Sequence, residues 1–113
     1  MHELSIVQSI LDSVGKEAHR LQISRINKIF VSIGVLSGVE KEALAYNYSL
    51  LPQKKPFVGT KLIIQENVLV VYCPACQKET TVTDGFTLQC ATCGKLTSHI
   101  VKGKELTIDT IEY

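Results

Sequence analysis

The chain has 113 residues and a hydrophobic share of 45%, which suffices for one ordinary core or for a small domain joined to a metal-held module. Its 12 Lys and Arg residues nearly balance 11 Asp and Glu residues, and the formal net charge of +1 does not favour a general role in nucleic-acid binding. No charged leader precedes an apolar run at the N-terminus and no apolar stretch approaches ~18 residues, so neither secretion nor membrane spanning is indicated and a cytoplasmic location is expected.

The first predicted element is an amphipathic helix over residues 4–21. Its apolar side chains recur at steps of three and four and would form one buried stripe: Leu4, Val7, Ile10, Leu11, Val14, Ala18 and Leu21. Residues 26–36 then switch to a period of two, as in a β-strand. Phe30 and Leu36 make the second face of this segment partly apolar too, which predicts a strand covered on both faces.

A second helix is predicted after the segment Ser37-Gly38-Val39-Glu40, which has the spacing of a capping box. This helix would end before Pro52 and bury four side chains: Ala43, Leu44, Tyr48 and Leu51. Two prolines and a glycine indicate a surface loop over residues 52–59. Residues 60–72 predict one long strand that leads into the first cysteine, with a single inward register: Leu62, Ile64, Val68, Val70 and Tyr72.

The four cysteines of the chain form two C-x-x-C pairs with thirteen residues between them: Cys73, Cys76, Cys90 and Cys93. Each pair can present two thiolates to one ion from a single turn, and two pairs complete a tetrahedron without an open position. This spacing predicts a closed, structural zinc site rather than a catalytic one. Disulfides would be the alternative in a secreted protein, but without a signal peptide reduced, metal-bound thiolates are expected.

Between the cysteine pairs, Asp84-Gly85 lies within a β-prone segment and predicts a hairpin. A last strand is predicted over residues 104–112, where Ile111 is out of phase with Leu106 and Ile108; a β-bulge near Asp109–Thr110 would restore the register. The strands on either side of the cysteine module should return to one sheet.

These elements predict an α+β fold, in which two helices cover a three-stranded sheet and a zinc-ribbon-like β module is inserted. We expect residues 1–68 and 102–113 to form one domain and residues 69–101 to form a zinc-binding domain. Short connectors around the inserted module would also permit domain swapping into a homodimer.

The N-terminal sequence Met1-His2-Glu3 is chemically suited to chelating a metal. The terminal amine, the following amide nitrogen and the imidazole of His2 can form fused chelate rings, and the amide of Glu3 offers a fourth nitrogen. Square-planar nitrogen sites suit Ni(II) or Cu(II). Taken alone, however, a histidine at position 2 is uninformative, and an exposed, mobile terminal side chain is the more common explanation.

The chain as a whole resembles the HypA/HybF family of hydrogenase nickel-incorporation proteins. The resemblance depends on four motifs taken together and in order: the start Met1–Ser5, the run Ile33–Glu40, the two cysteine pairs and the ending Ile108–Glu112. It implies a nickel metallochaperone with a structural zinc domain, a GTPase partner of the HypB type and delivery to the large subunit of [NiFe]-hydrogenase. Some relatives also serve urease.

By this resemblance, Met1, His2 and Glu3 form the nickel site and the four cysteines bind zinc. Glu40 matches an acidic position of the family, although a role in capping the second helix explains it equally well. In some relatives histidines next to the cysteine pairs enter zinc coordination, whereas Gln77 and Gly94 occupy those positions here. His19 is expected at the surface near the end of the first helix, and His99 is expected to be a partly buried strand residue.

Two other functional classes compete with a nickel carrier. A zinc-ribbon module that binds protein or nucleic acid would need no nickel, although residues 73–93 carry one Lys against one Glu and one Asp and so lack the cationic face that phosphate favours. A thiol oxidoreductase would need only one C-x-x-C pair. Catalysis, a membrane partner and a nucleic-acid partner are therefore not expected.

Overall fold

The computed structural model describes residues 3–82 and 87–113. Within these ranges the chain forms two helices and six strands, in the following order: α1 (Glu3–Arg20), β1 (Lys28–Gly34), α2 (Lys41–Ser49), β2 (Lys61–Asn67), β3 (Leu69–Cys73), β4 (Lys78–Val82), β5 (Ile100–Lys102) and β6 (Leu106–Glu112). Neither described helix is long and apolar enough to cross a membrane. The two helices and two small sheets confirm the predicted α+β class.

The first sheet has the strand order β2-β1-β6, with β1 parallel to β2 and antiparallel to β6. The segments before and after the cysteine module therefore return to one sheet, as predicted. Phe30 pairs with Thr110 and the next residue, Val31, pairs with Ile108, so Asp109 is the extra residue of a β-bulge. This bulge was predicted from the change of phase in the apolar pattern, and it lets Ile111 pack against the core.

The main core lies between α1 and one face of the first sheet. It consists of Ile6, Val7, Ile10, Val14, Ala18, Ile26, Ile29, Val31, Ile33, Leu44 and Ile64. The predicted stripe of α1 is confirmed in its middle, but its ends, Leu4 and Leu21, are 39% and 41% exposed, and Leu21 lies beyond the last residue of α1. The prediction that β1 is covered on both faces is wrong. From Lys28 to Ile33 its residues alternate between half-buried and buried, and the buried ones share a single cluster with residues of both helices.

The start of α2 differs from the predicted capping box. Glu40 is itself the N-cap residue, and its carboxylate makes no capping hydrogen bond. The hydroxyl of Ser37 instead accepts a hydrogen bond from the amide of Val39, 3.2 Å away, in a local turn. Because the Ser37 hydroxyl is bonded within this turn, it does not cap the helix, and α2 starts at Lys41. Leu44 is fully buried as predicted, and α2 ends before Pro52.

The single long strand predicted over residues 60–72 is wrong, because the segment divides between two sheets. β2 buries Ile64, but after Val68, which is 57% exposed, the buried residues are Leu69 and Val71 rather than Val70 and Tyr72. The change of face allows the chain to leave the first sheet and begin the second. In the second sheet the strand order is β4-β3-β5. β4 pairs antiparallel with β3, and the predicted Asp84-Gly85 turn lies outside the described residues.

Gly34 and Gly103 allow the backbones of two segments to approach closely where the first sheet meets the second. The amide of Gly34 donates to the carbonyl of Glu105 at 2.8 Å, and the amide of Leu36 donates to the carbonyl of Gly103 at 2.6 Å. A Cβ atom on Gly34 would lie 2.1 Å from backbone atoms of Gly103. Only glycine fits this approach, and the junction between the two sheets depends on it.

Candidate metal centre

The four cysteine sulfur atoms lie together at one end of β3. All four are within 4.8 Å of one another, and Sγ–Sγ distances are 3.6 Å between Cys73 and Cys93 and 3.9 Å between Cys76 and Cys90. A tetrahedral site with Zn–S distances of about 2.3 Å has S···S edges of about 3.8 Å. Such separations are far too long for disulfide bonds, and the thiols are free. The arrangement fits a structural zinc ion.

Two similar turns position the sulfur atoms. In the first, the amide of Gln77 donates to the carbonyl of Cys73 at 2.7 Å; in the second, the amide of Gly94 donates to the carbonyl of Cys90 at 2.9 Å. Each donor follows the second cysteine of its pair and has positive φ, 56° at Gln77 and 78° at Gly94. Glycine adopts this left-handed backbone conformation without strain, so Gly94 suits the second turn. Gln77 adopts the same conformation in the first turn, although a residue with a side chain is less suited to it.

Two threonines tie the second turn to the sheet. Thr97 is buried; its hydroxyl donates to the carbonyl of Tyr72 at 2.7 Å and its amide donates to the carbonyl of Leu88 at 2.9 Å. The hydroxyl of Thr80, on β4, accepts from the amide of Ala91 at 3.3 Å. Sequence reasoning missed both residues, because their partners lie 25 and 11 positions away and leave no local pattern.

The electrostatics of the cluster favour a bound cation. Hydrogen bonds from the backbone amides of Cys93 and Thr92 help lower the pKa of Cys90 to about 6. Hydrogen bonding with Cys93, burial and the other neighbouring thiols raise the pKa of Cys76 to about 12. One thiolate is thus stabilised by backbone hydrogen bonds, while hydrogen bonding among the sulfur atoms and burial oppose the ionisation of Cys76. A divalent cation removes that opposition and displaces the remaining protons.

The predicted nickel residues are only partly described. Met1 and His2 lie outside the described residues, and Glu3, half-buried, is the first residue of α1. His19 lies exposed in the last turn of α1, as expected. The expectation of a partly buried His99 is wrong: it precedes β5, is exposed, and its ring lies 5.3 Å from that of Tyr72. Within residues 3–82 and 87–113, the cysteine cluster is the one group of three or more His, Cys, Asp or Glu residues close enough to share an ion.

Comparison with known proteins adds to this geometry. A model of the family described as "hydrogenase/urease nickel incorporation, metallochaperone, hypA" matches residues 1–113. The hydrogenase maturation factor HypA of Chloroflexus aurantiacus is 35% identical over 112 residues, which cover 99% of this chain and 98% of the relative. The HypA of Aquifex aeolicus is 32% identical over 112 residues, covering 99% and 96%.

The fold itself is shared with a solved structure. The solution structure of the nickel metallochaperone HypA from Helicobacter pylori matches with a TM-score of 0.67 and 22% sequence identity, covering 99% of this chain and 97% of the other. At this level of identity the likeness concerns the fold. It shows that the arrangement of two helices and two small sheets occurs in another protein of similar length.

Proposed function

The chain belongs to the HypA family of hydrogenase/urease nickel-incorporation metallochaperones, and we propose that it binds Ni(II) at Met1-His2-Glu3 and passes it on. Membership confirms two predictions, a nickel carrier for hydrogenase maturation and a protein that is not an enzyme. It favours the carrier over a zinc-ribbon module without a nickel function. The observation that supports the proposal most strongly is the family match along the whole chain, including the N-terminal residues.

In this proposal Cys73, Cys76, Cys90 and Cys93 hold one zinc ion that stabilises the second sheet. Four thiolates leave no vacancy for a substrate, so the zinc has a structural role. The buried cluster of that sheet contains just Leu69, Val71 and Val82 among the described residues, too few to stabilise it alone. Metal analysis should find one zinc per chain, and absence of zinc from freshly purified, reduced protein would contradict the assignment.

The cargo site is proposed at the other end of the chain. The Met1 amine, the amide and imidazole of His2, and the amide of Glu3 would supply nitrogen ligands suited to Ni(II). Glu3 begins α1, so one of the proposed ligands lies at the first residue of a helix. A terminal site of this kind can exchange its ligands one at a time with a receiving site, which suits a carrier better than a store.

The partners in this proposal are a GTPase of the HypB type and the large subunit of a [NiFe]-hydrogenase, with urease as a further recipient system. We also propose that residues 1–68 and 102–113 form the nickel-binding domain and residues 69–101 the zinc-binding domain. The cytoplasm is the proposed location, because reduced thiolates persist there. Exchange of the zinc module between two copies would give a domain-swapped homodimer.

Nickel titration of untagged, zinc-loaded protein tests the site. We expect one Ni(II) per chain for the unmodified protein and for His19→Ala, a matched control at an exposed histidine in the last turn of α1. His2→Ala should lose binding without loss of zinc or of helical content, because position 2 precedes the buried stripe. Full nickel binding by His2→Ala would exclude this site.

A deletion strain tests the carrier role. Under nickel limitation, and without a paralogue, loss of the gene should lower [NiFe]-hydrogenase activity, and excess nickel in the medium should restore part of it. Normal hydrogenase maturation under these conditions would contradict the carrier function.

A further inference from the structure

Two cavities flank the loop over residues 52–59, where it passes the ends of the two helices. The first has a volume of about 270 Å³ and lies between α1, α2 and the loop, with apolar walls that include Leu11 and Phe57. The second has a volume of about 280 Å³ and lies between the end of α1 and the loop, with His19 in its wall. Lys55 lines both cavities, so they are adjacent, and together we call them the loop cleft.

Hydrogen bonds within the chain hold the loop in place. The amide of Phe57 donates to the carbonyl of Lys54 at 2.6 Å, inside the loop. The amide of Ile26 donates to the carbonyl of Pro56 at 2.9 Å and ties the loop to the segment that follows α1. Phe57 also packs against the main core. The walls of the loop cleft are therefore in place without an occupant, which lowers the entropic cost of binding one.

The loop cleft is surrounded by positive charge. Lys54 and Lys55 line the first cavity, and Lys55 and His19 line the second. The guanidinium of Arg25 lies beside the loop, since a Cβ atom on Gly59 would be 3.4 Å from its Nη2 atom. No Asp or Glu lines either cavity, and none of these three Lys and Arg side chains forms an ion pair within residues 3–82 and 87–113. The unpaired cations favour an anionic occupant.

Neither an ion pair nor helix capping uses these cations. Of the two carboxylates on the second half of α1, Glu17 is paired with Arg20, and Asp12 lines neither cavity. At the end of α1 the carbonyls of residues 17–19 accept hydrogen bonds from the amides of residues 21–23, at 2.8–3.1 Å. Backbone donors thus satisfy the helix end, where a Lys or Arg side chain could otherwise bind the last carbonyls. The cations of the loop cleft are therefore available to a ligand.

We propose that the loop cleft binds an acidic segment of a partner protein, in which a large apolar residue stands next to Asp or Glu. The apolar side chain would enter the first cavity beside Leu11 and Phe57. The neighbouring carboxylate would accept hydrogen bonds from Lys55, which lines both cavities. The loop cleft lies toward the end of α1 opposite to Glu3, so this proposal is independent of the nickel site.

Other anions fit the loop cleft less well. Inorganic phosphate would meet the cations but leave the apolar first cavity unfilled. Nucleic acid favours an extended cationic surface with exposed aromatic rings. Here the cations surround one loop of a chain with a formal net charge of +1, and Tyr48 and Phe57 pack against the main core. An apolar cavity beside unpaired cations therefore favours a segment that is both acidic and apolar.

Nuclear magnetic resonance of the isotope-labelled, zinc-loaded full chain tests the proposal, with a synthetic decapeptide of alternating Leu and Glu as the probe. Its binding should shift the amide signals of residues 18–25 and 53–59, and the affinity should fall as salt is added, because salt screens exposed charges. Decapeptides of alternating Ser and Glu, and of alternating Leu and Lys, should each bind at least about tenfold more weakly. The first lacks the apolar side chain and the second lacks the carboxylate.

Charge reversal at the loop cleft is the matching test on the protein. Lys55→Glu should weaken binding of the Leu and Glu peptide about tenfold or more, whereas Lys55→Arg keeps the charge and should change the affinity less than about twofold. Lys102→Glu is the matched control, a charge reversal at an exposed lysine of β5, and should also change the affinity less than about twofold. Unchanged amide signals outside the loop cleft verify that each variant is folded.

The proposal fails if the Leu and Glu peptide leaves the signals of the loop cleft unchanged, or if Lys55→Glu binds this peptide as tightly as the original chain does. Equal or larger shifts caused there by inorganic phosphate or by single-stranded DNA would assign the loop cleft to another class of anion and also overturn the proposal. Shifts that rise with the protein's own concentration would assign the loop cleft to a second copy of the chain, with the same consequence.

Discussion

Substitution of Gly34 by alanine should destabilise the whole protein, because the two sheets meet at this residue. The new Cβ would lie 2.1 Å from the carbonyl carbon and oxygen of Gly103 and 2.5 Å from the amide nitrogen of Lys104. All three are backbone atoms, so no side chain can rotate away, and the two segments must separate by more than about 1 Å to reach normal contact distance.

That separation removes two hydrogen bonds, from Gly34 to Glu105 at 2.8 Å and from Leu36 to Gly103 at 2.6 Å. Each contributes about 1 kcal/mol. Overpacking of this kind adds about 1–3 kcal/mol. The free energy of unfolding should therefore fall by about 3–5 kcal/mol, a large share of the ~5–15 kcal/mol typical of small proteins.

Urea unfolding of zinc-loaded, reduced protein, followed by circular dichroism, measures the loss. Gly38→Ala is the control: unlike Gly34, Gly38 has a positive φ, 78°, and a Cβ there meets nothing within 4 Å. It should cost about 1 kcal/mol, from backbone conformation alone. If Gly34→Ala costs no more than Gly38→Ala, the close approach of the two sheets is not as described.

Three further predictions concern the core, the pH dependence and the zinc. Leu44 is fully buried, so Leu44→Ala should lower the free energy of unfolding by about 2–5 kcal/mol, and a loss under 1 kcal/mol would contradict its place in the core. Burial raises the pKa of Tyr48, whose hydroxyl donates to the carbonyl of Thr60 at 2.6 Å. The protonated form of Tyr48 is therefore favoured in the folded state. Its contribution to the free energy of unfolding should be present below the ordinary tyrosine pKa of about 10 and fall as the pH rises above it. Tyr48→Phe should cost about 1 kcal/mol at pH 7 and flatten that alkaline decline, and an unchanged decline would assign it to other groups. Removal of zinc by a chelator under reducing conditions should abolish amide protection in β3–β5 and leave β1 protected, whereas equal loss in both sheets would show that they unfold as one unit.

Sequence patterns correctly predicted the elements that are determined by residues close together in the chain. The step of three and four residues located α1, and the change of phase at Ile111 located the bulge at Asp109. The spacing of the cysteines predicted their cluster, since two C-x-x-C turns need only meet once to form a tetrahedral site. In each case the residues that decide the structure are neighbours in the sequence.

Features that depend on distant contacts were not predicted. The predicted strand is interrupted at Val68 because β2 pairs with β1 in the first sheet, whereas β3 pairs with β4 and β5 in the second. Nothing within residues 60–72 marks this division between the two sheets. Thr97 supports the metal centre through Tyr72, which lies 25 residues away. The sequence at Ser37 is compatible with two local arrangements, a capping box or a short turn. The structure adopts the short turn, in which the Ser37 hydroxyl accepts from the amide of Val39.

The proposed nickel site is tested most directly by the chemical state of the Met1 amine. Calorimetric titration with Ni(II) would compare the untagged, zinc-loaded protein with the same protein carrying one additional residue before Met1. The extension converts the amine into an amide and leaves all side chains in place, so we predict one Ni(II) per chain for the untagged protein and loss of that binding for the extended one. Equal nickel binding by the two proteins would contradict a nickel site at Met1-His2-Glu3.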